Sequence, residues 1–323
     1  MTTKKKNHLG PLMVDIGGQE LTAEDRDVLS HPLVGGMILF TRNYRDAGQL
    51  KALCDDIHSL RKTPRLLLAV DHEGGRVQRF RVGFSRIPAM RTLGKLYEES
   101  PAQARDEAQS HARSIGRELA AFGIDLCFAP VLDRDFGVST VIGDRAFDAN
   151  PEIIVALARA FRAGLNEAGL AATGKHYPGH GAVSADSHHE LPVDRRALEE
   201  LQKDMAPFHA LISDGIESLM MAHVRYTAID PTPASLSKIW IGDILRKQAG
   251  FSGALFCDDL SMGGAAVVGT MEERARLALD AGCDMLPVCN DRPGVLALLD
   301  ALKGIKPNKS ASDRLQKLYR REV

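Results

Sequence analysis

Between Lys175 and Glu190 the chain sets four histidines, His176, His180, His188 and His189, beside a lysine and the carboxylates Asp186 and Glu190. Gly179, Gly181, Ser184 and Ser187 interrupt the run, so it is neither a packed helix nor a regular strand. Titratable groups at this density on a loop point to binding or catalysis. Three chemistries fit. His188, oriented by Asp186 two residues earlier, would titrate near neutral pH and could protonate a leaving oxygen as a general acid/base. A metal could be held by His176, His180, His188 or His189, although neither an HExxH motif nor a paired-cysteine spacing is present. A solvated polar loop is the third.

Two further segments place carboxylates after apolar runs. In Leu68 to Arg79, Asp71 is followed by Gly74, Gly75, Arg76 and Arg79; it could accept hydrogen bonds from paired hydroxyls, or pair with Arg76 or Arg79 to order a turn. In Gly253 to Gly264 the run ends in Asp258 and Asp259. Asp258 could be a nucleophile that forms a covalent intermediate, while one of the two carboxylates caps the next turn. Arg145, in the short loop Val141 to Phe147, could reach the same pocket.

The elements that must position these groups alternate. Short apolar runs cover Leu12 to Ile16, Gly36 to Phe40, Leu66 to Val70, Ile124 to Ala129, Ala171 to Gly174, Ser218 to Ala222, Ala254 to Phe256 and Asp284 to Val288, eight strands in all. Continuous apolar strands are expected in a parallel sheet covered by helices. Between them lie helices with readable ends. One is expected from Ser100-Pro101, with Gln103 three residues on, to about Phe122; another from Asn150-Pro151 to Gly169. A third places Leu198, Leu201, Met205, Phe208, Leu211 and Ile212 on one stripe before Gly215, and a capping box at Thr270 to Glu273 opens a fourth that ends near Gly282.

Strand and helix repeated eight times close into a single (β/α)8 barrel of the TIM type, an α/β fold, over residues 1–323. A doubly wound open sheet is the rival. Asp15, Thr41 to Asn43, Asp71, Asp133, Lys175-His176, His223 and Asp258 all fall at C-terminal strand ends. In a barrel those ends converge on one mouth, which favours the barrel.

Composition narrows the class. With 41 basic and 42 acidic residues the formal charge is −1, so no global field draws the chain to nucleic acid or membrane. The five cysteines are scattered through apolar runs and read as reduced thiols. With no export signal or transmembrane span in the reading, the expectation is a cytoplasmic monomer acting on a small molecule.

Taken together, Gly35 to Asn43, Asp71 to Arg79, Gly143 to Arg145, Lys175 to Gly181 and Asp258 to Met262 resemble glycoside hydrolase family 3 in order and spacing. Within it the chain is similar to single-barrel bacterial cytoplasmic β-N-acetylglucosaminidases of peptidoglycan recycling. The resemblance implies Asp258 as nucleophile and His188 with Asp186 as an acid/base dyad. It implies Asp71, Arg79, Arg145, Lys175 and His176 as binders of the terminal N-acetylglucosamine of a glycan substrate, with no cofactor and no metal. Cys257 stands where serine is usual, and Gly263 where Glu is usual. A histidine acid/base, unlike a carboxylate, does not repel anions, so phosphorolysis is the close alternative to hydrolysis. A metal-dependent hydrolase and a catalytically silent sugar-binding barrel are the readings from other classes.

Overall fold

The computed structural model describes residues 8–187, 191–306 and 308–322. Its frame is eight parallel strands: β1 Leu12–Val14, β2 Val34–Leu39, β3 Leu67–Val70, β4 Leu126–Cys127, β5 Ala171–Tyr177, β6 Ser218–Met221, β7 Ala254–Phe256 and β8 Leu286–Val288. Each is hydrogen-bonded to its neighbours in chain order, with β8 returning to β1. A parallel bridge between Phe256 and Met285, together with Asp284 N donating to Leu255 O at 2.7 Å, closes the ring between β7 and β8. A doubly wound sheet needs a reversal of strand order. None occurs among the described residues, so the fold is the (β/α)8 barrel.

Strand residues alternate between two apolar clusters, as the two-residue period requires. Met13, Ile38, Leu67, Ala69, Leu126, Phe128, Met220 and Phe256 fill the barrel interior, where Phe128 and Phe256 meet edge to face at 5.1 Å. Leu12, Val14, Met37, Leu39, Leu68 and Val70 face the helices. Both faces are dry, which is why these strands read as unbroken apolar runs.

The helices follow their end signals with one exception. Thr270 and Glu273 form the reciprocal capping box of Met271–Ala281, and Gly282 stops that helix at φ +113°, a conformation only glycine adopts cheaply. Asn150 caps Pro151–Glu167. Leu198–Ser213 buries Leu201, Met205, Phe208 and Leu211 as its stripe requires. Pro101–Ala121 forms, but the Ser100 side chain does not cap it. Ser100 also ends the preceding helix Met90–Glu99, donating its N–H to Leu96 O at 2.7 Å, and Gln103 donates to Glu107 instead. Several strands are shorter than expected, β4 and β1 among them. The ladder of β4 stops at Cys127 because the Ala129 N–H turns back to the Cys127 carbonyl at 2.8 Å, and β1 stops at Val14 because the Ile16 carbonyl is taken by Arg42 and Asn43 side chains.

No helix among the described residues is long and apolar enough to cross a membrane.

Candidate active site

At the C-terminal ends of the strands lies a cavity of about 700 Å³ whose lining includes Asp71, Arg79, Arg145, Lys175, His176, Asp186 and Asp258. Seven of the eight residues singled out from the sequence therefore meet at one mouth. The eighth, His188, lies outside the described residues, as do His189 and Glu190.

The floor of this cavity is a five-membered ionic network. Asp71 follows β3 and accepts a hydrogen bond from Lys175 Nζ at 2.7 Å and one from Arg79 Nη2 at 3.3 Å. Glu73, in the short strand His72–Gly74, is 2% exposed; it accepts a fork of two 2.8 Å bonds from Arg145 and lies 2.6 Å from Lys175 Nζ. Lys175, at the end of β5, is itself 2% exposed and bridges the two carboxylates. Burial alone disfavours the charged form of every one of these groups. It opposes ionisation of Asp71, but Lys175 and then Arg79 outweigh it and hold the carboxyl well below the usual range. For Glu73 burial is outweighed by Arg145 and Lys175, which bring its pKa down to about 2. Burial likewise works against charge on Lys175 and Arg145, and the carboxylates reverse it, raising both. The outcome is a fixed set of full charges in a concave, largely dry wall, the arrangement that recognises sugar hydroxyls and amides.

Lys175 and His176 are consecutive, yet both serve the cavity. A register irregularity between Lys175 and Tyr177 in the pairing of β5 with β6 breaks the alternation that would otherwise send them to opposite faces. Beneath His176 sits Asp133, fully buried, accepting from His176 Nδ1–H at 2.7 Å and from the backbone N–H of His180 at 2.7 Å. This fixes the His176 ring through one nitrogen and leaves Nε2 for a ligand. Burial of Asp133 is offset by His176 and His180, so its carboxyl is held below the ordinary value. His180, buried beside the cavity, is pushed down to about 4 by loss of water and stays a neutral hydrogen-bonding group, with Nε2 2.9 Å from Ser187 Oγ. Ser187 O also accepts from Gly264 N at 2.9 Å, so the chain is pinned to the barrel immediately after Asp186.

Asp258 lies just beyond β7, lines the cavity, and accepts the Asp259 N–H at 2.9 Å. Asp259 is bonded to its own turn: it accepts from Ser261 N at 3.0 Å, Ser261 Oγ at 2.8 Å and Cys289 N at 3.0 Å. Both carboxylates border the cavity, but Asp259 is committed to the bonds that shape its turn. Behind them His223 Nε2–H donates to the Asp259 carbonyl at 2.9 Å, and Ser235 Oγ–H donates to Nδ1 at 2.6 Å. A carbonyl can only accept, which sets the tautomer of His223 and the path of the backbone carrying Asp258.

The structure also separates the two candidates for pairing with Asp71. Arg79 makes that contact, whereas Arg76 pairs with Asp144 at 3.1 Å. Asp15 and Arg42, although at strand ends, hold each other and the Asn290 N–H. Glu73, Asp133 and His180 had no assigned place in the sugar site. Their signal was weak, because buried support residues declare themselves only through burial and partners. Among the described residues no group of three or more His, Cys, Asp or Glu is arranged to hold a metal ion.

Comparison with known proteins adds names to this geometry. Residues 3–320 match the model of the glycosyl hydrolase family 3 N-terminal domain. The chain is 54% identical over 296 residues to the beta-hexosaminidase of Thiobacillus denitrificans, covering 90% of this chain and 82% of that protein. It is 51% identical to the beta-hexosaminidase of Alkalilimnicola ehrlichii over 98% of this chain and 90% of that one. Among solved structures, NagZ from Neisseria gonorrhoeae in complex with N-trifluoroacetyl-D-glucosamine superposes with a TM-score of 0.92 at 44% identity, over 98% of this chain and 91% of that one. The same protein in complex with zinc gives 0.91 at 43% identity over the same shares.

Proposed function

The chain belongs to glycosyl hydrolase family 3, and from that premise we propose that it is a retaining exo-β-N-acetylglucosaminidase, a single catalytic barrel acting as a cytoplasmic monomer on peptidoglycan-derived muropeptides. It removes the terminal N-acetylglucosamine β-1,4-linked to anhydro-N-acetylmuramic acid. The observation that carries this reading is that Asp258 shares one cavity with Asp71, Arg79, Arg145, Lys175, His176 and Asp186. A carboxylate facing a wall of fixed charges suits a nucleophile set against a bound sugar. That the gonococcal relative binds an N-acylglucosamine supports the choice of sugar.

In this mechanism an Asp258 oxygen attacks the anomeric carbon as the glycosidic C–O bond breaks, and His188 gives its proton to the departing oxygen. Asp186 orients the imidazole. His188, now neutral, removes a proton from water; the water oxygen displaces Asp258 from the anomeric carbon, and two inversions restore the original configuration. Arg145 and Lys175 are locked by Glu73 and Asp71, so they grip the sugar without rearranging, which lowers the cost of binding.

A metal-dependent hydrolase using the histidine-rich loop is the second reading, favoured by the zinc complex of the gonococcal relative. One assay separates the readings: 4-nitrophenyl N-acetyl-β-glucosaminide turned over with and without chelator and with and without phosphate, the anomer of the product being followed by NMR. We expect β-N-acetylglucosamine as first product and no effect of either addition. Inactivation by prolonged chelation with recovery on adding zinc would establish the metal reading. Acceleration by phosphate with release of the sugar 1-phosphate would make the enzyme a phosphorylase.

A further inference from the structure

Beside the catalytic cavity a second concavity, about 590 Å³, is lined by Arg76, Arg81, Arg86, Gln78, Ile87 and their neighbours, and no Asp or Glu is among its lining residues. Arg76 lines both hollows, so the second lies on the other side of its side chain from the first. We propose that it is a carboxylate-binding subsite for the leaving group, an assignment that rests on the glycosidase reading above.

Charge is the first argument. Arg76 has a counter-ion in Asp144 at 3.1 Å. Among the described residues Arg81 donates only to neutral acceptors, the carbonyls of Gln78 at 3.3 Å and Gly75 at 3.1 Å. No carboxylate pairs with Arg86 among the described residues. Two guanidinium charges therefore face this hollow without compensation, and a guanidinium fork fits a carboxylate in bidentate fashion. N-acetylglucosamine carries no charge that would use them. An anion at this place belongs to whatever lies beyond the scissile bond, an acidic leaving group with one or more carboxylates.

Rigidity is the second argument. Gln78, 5% exposed, closes residues 80–87 around its amide: Nε2 donates to Phe80 O at 3.0 Å and Ser85 O at 2.8 Å, and Oε1 accepts from Ile87 N at 3.1 Å. Gly75 completes the floor, donating to Ile87 O at 2.9 Å with φ +54°, and a β-carbon there would come within 2.9 Å of Ala89. Arg81 and Arg86 thus spring from a loop already held in shape, which spares the ordering cost of binding.

The test compares the intact enzyme with an Arg81→Gln/Arg86→Gln double variant on substrates that share the same terminal sugar. These are the nitrophenyl glycoside, N,N′-diacetylchitobiose, a disaccharide whose leaving sugar bears a free carboxylate, and the methylamide of that disaccharide. Both arginines are exposed, so each contact is screened and a combined loss of about tenfold in kcat/KM on the free acid is expected, mostly in KM. The two neutral substrates should be unaffected. Amidation should cost the wild type the same factor and make the two enzymes equal, and raising salt should erode the wild-type preference for the acid. An Arg81→Lys/Arg86→Lys variant should recover part of it. Equal losses on charged and neutral substrates, or a wild type indifferent to amidation, would overturn the subsite while leaving the glycosidase reading intact. Failure of the wild type on the nitrophenyl glycoside would instead remove the reading beneath it.

Discussion

Both ends of the barrel bury carboxylates against arginines and both border a hollow, but the carboxylates are held differently at the two. At the foot, Asp125 accepts from Arg65 at 2.6 Å and from the backbone N–H groups of Leu68 and Arg320 at 3.0 and 3.1 Å. Asp284 there accepts from Arg314 at 2.6 and 2.9 Å, from Arg246 at 3.2 Å and from Leu255 N at 2.9 Å. Each of these carboxylates is closed off by backbone and arginine together, tying a strand to its neighbours. At the mouth, Asp71 and Glu73 are held by Lys175, Arg79 and Arg145, and the same groups line an open cavity or stand directly behind it. The chemistry of the pairs is similar. What separates a fastening from a binding site is that each foot carboxylate accepts four hydrogen bonds from arginine and backbone, whereas among the described residues Asp71 accepts two, from Lys175 and Arg79, and keeps capacity for a ligand in the cavity it lines.

Substitutions should therefore divide, with activity lost at the mouth and stability lost at the foot. The largest effect belongs to Asp258→Ala, which removes the group assigned to form the glycosyl-enzyme bond. Turnover of the nitrophenyl glycoside should fall by roughly 10⁴-fold or more, with Tm within about 2 °C of wild type. Retention of most activity would move the nucleophile elsewhere, with Asp259 the first candidate.

His188→Ala should show a split instead of a uniform loss. A sugar hydroxyl needs protonation to leave and a nitrophenolate does not, so turnover of a natural disaccharide should drop by about 10²- to 10⁴-fold while glycosyl-enzyme formation from the nitrophenyl glycoside is nearly spared. Deglycosylation should be slow in both. Asp186→Ala should repeat the pattern more mildly. Parallel losses on the two substrates, read by burst kinetics, would assign the loop to binding alone.

At the foot, Asp125→Ala leaves Arg65 and two backbone N–H groups without their acceptor, and unfolding in urea should show a loss of about 3–5 kcal/mol. Its kcat/KM at a temperature where it is folded should stay within about twofold of wild type. A large loss of activity in the folded variant would show that the two ends are coupled.

Glu73→Gln tests the boundary between the two behaviours, since Glu73 supports the binding groups without lining the cavity. Arg145 and Lys175 keep a hydrogen-bond partner but lose a charge. KM should rise about tenfold with kcat within about twofold, and Tm should fall by a few degrees.

The smallest effect is the dependence of stability on pH. Glu73 sits at about 2 in the folded protein against an ordinary value near 4.3, so its stabilisation is complete above about pH 4.3 and fades as pH falls toward 2. The mouth network should thus survive mild acid. Asp259 has the opposite sign: burial raises it to about 6, so between about pH 4 and 6 the folded state binds more protons than the unfolded one, and stability falls as pH rises. Asp259→Asn should flatten that slope, a change on the order of 1 kcal/mol readable in urea titrations at pH 4 and pH 7.

Much of the barrel could be read along the chain because its signals are local. Unbroken apolar runs, proline at a helix start and glycine at a helix stop report on a few residues at a time. Those signals failed where a residue served two neighbours: Ser100 ends one helix and begins another, and its side chain caps neither. Strand order was not local, and the pairing of neighbours in chain order, with β8 returning to β1 and a bridge between Phe256 and Met285, decided it against an open sheet.

The amino-acid sequence by itself determined which side chains could do chemistry, because Asp71, Lys175, His176, Asp186 and Asp258 stand at strand ends or in a glycine-broken loop whatever else the chain does. It also carried the family resemblance, which the family model over residues 3–320 and relatives about half identical to the chain bear out. Tertiary structure alone decided how those groups are charged and held. Glu73 is 72 residues from Arg145, and Lys175 is 104 from Asp71. Burial makes each of these ions unfavourable by itself, and only their meeting at one end of the barrel makes them stable together, since the Coulomb attraction that offsets desolvation depends on distances of a few ångströms that no sequence separation records.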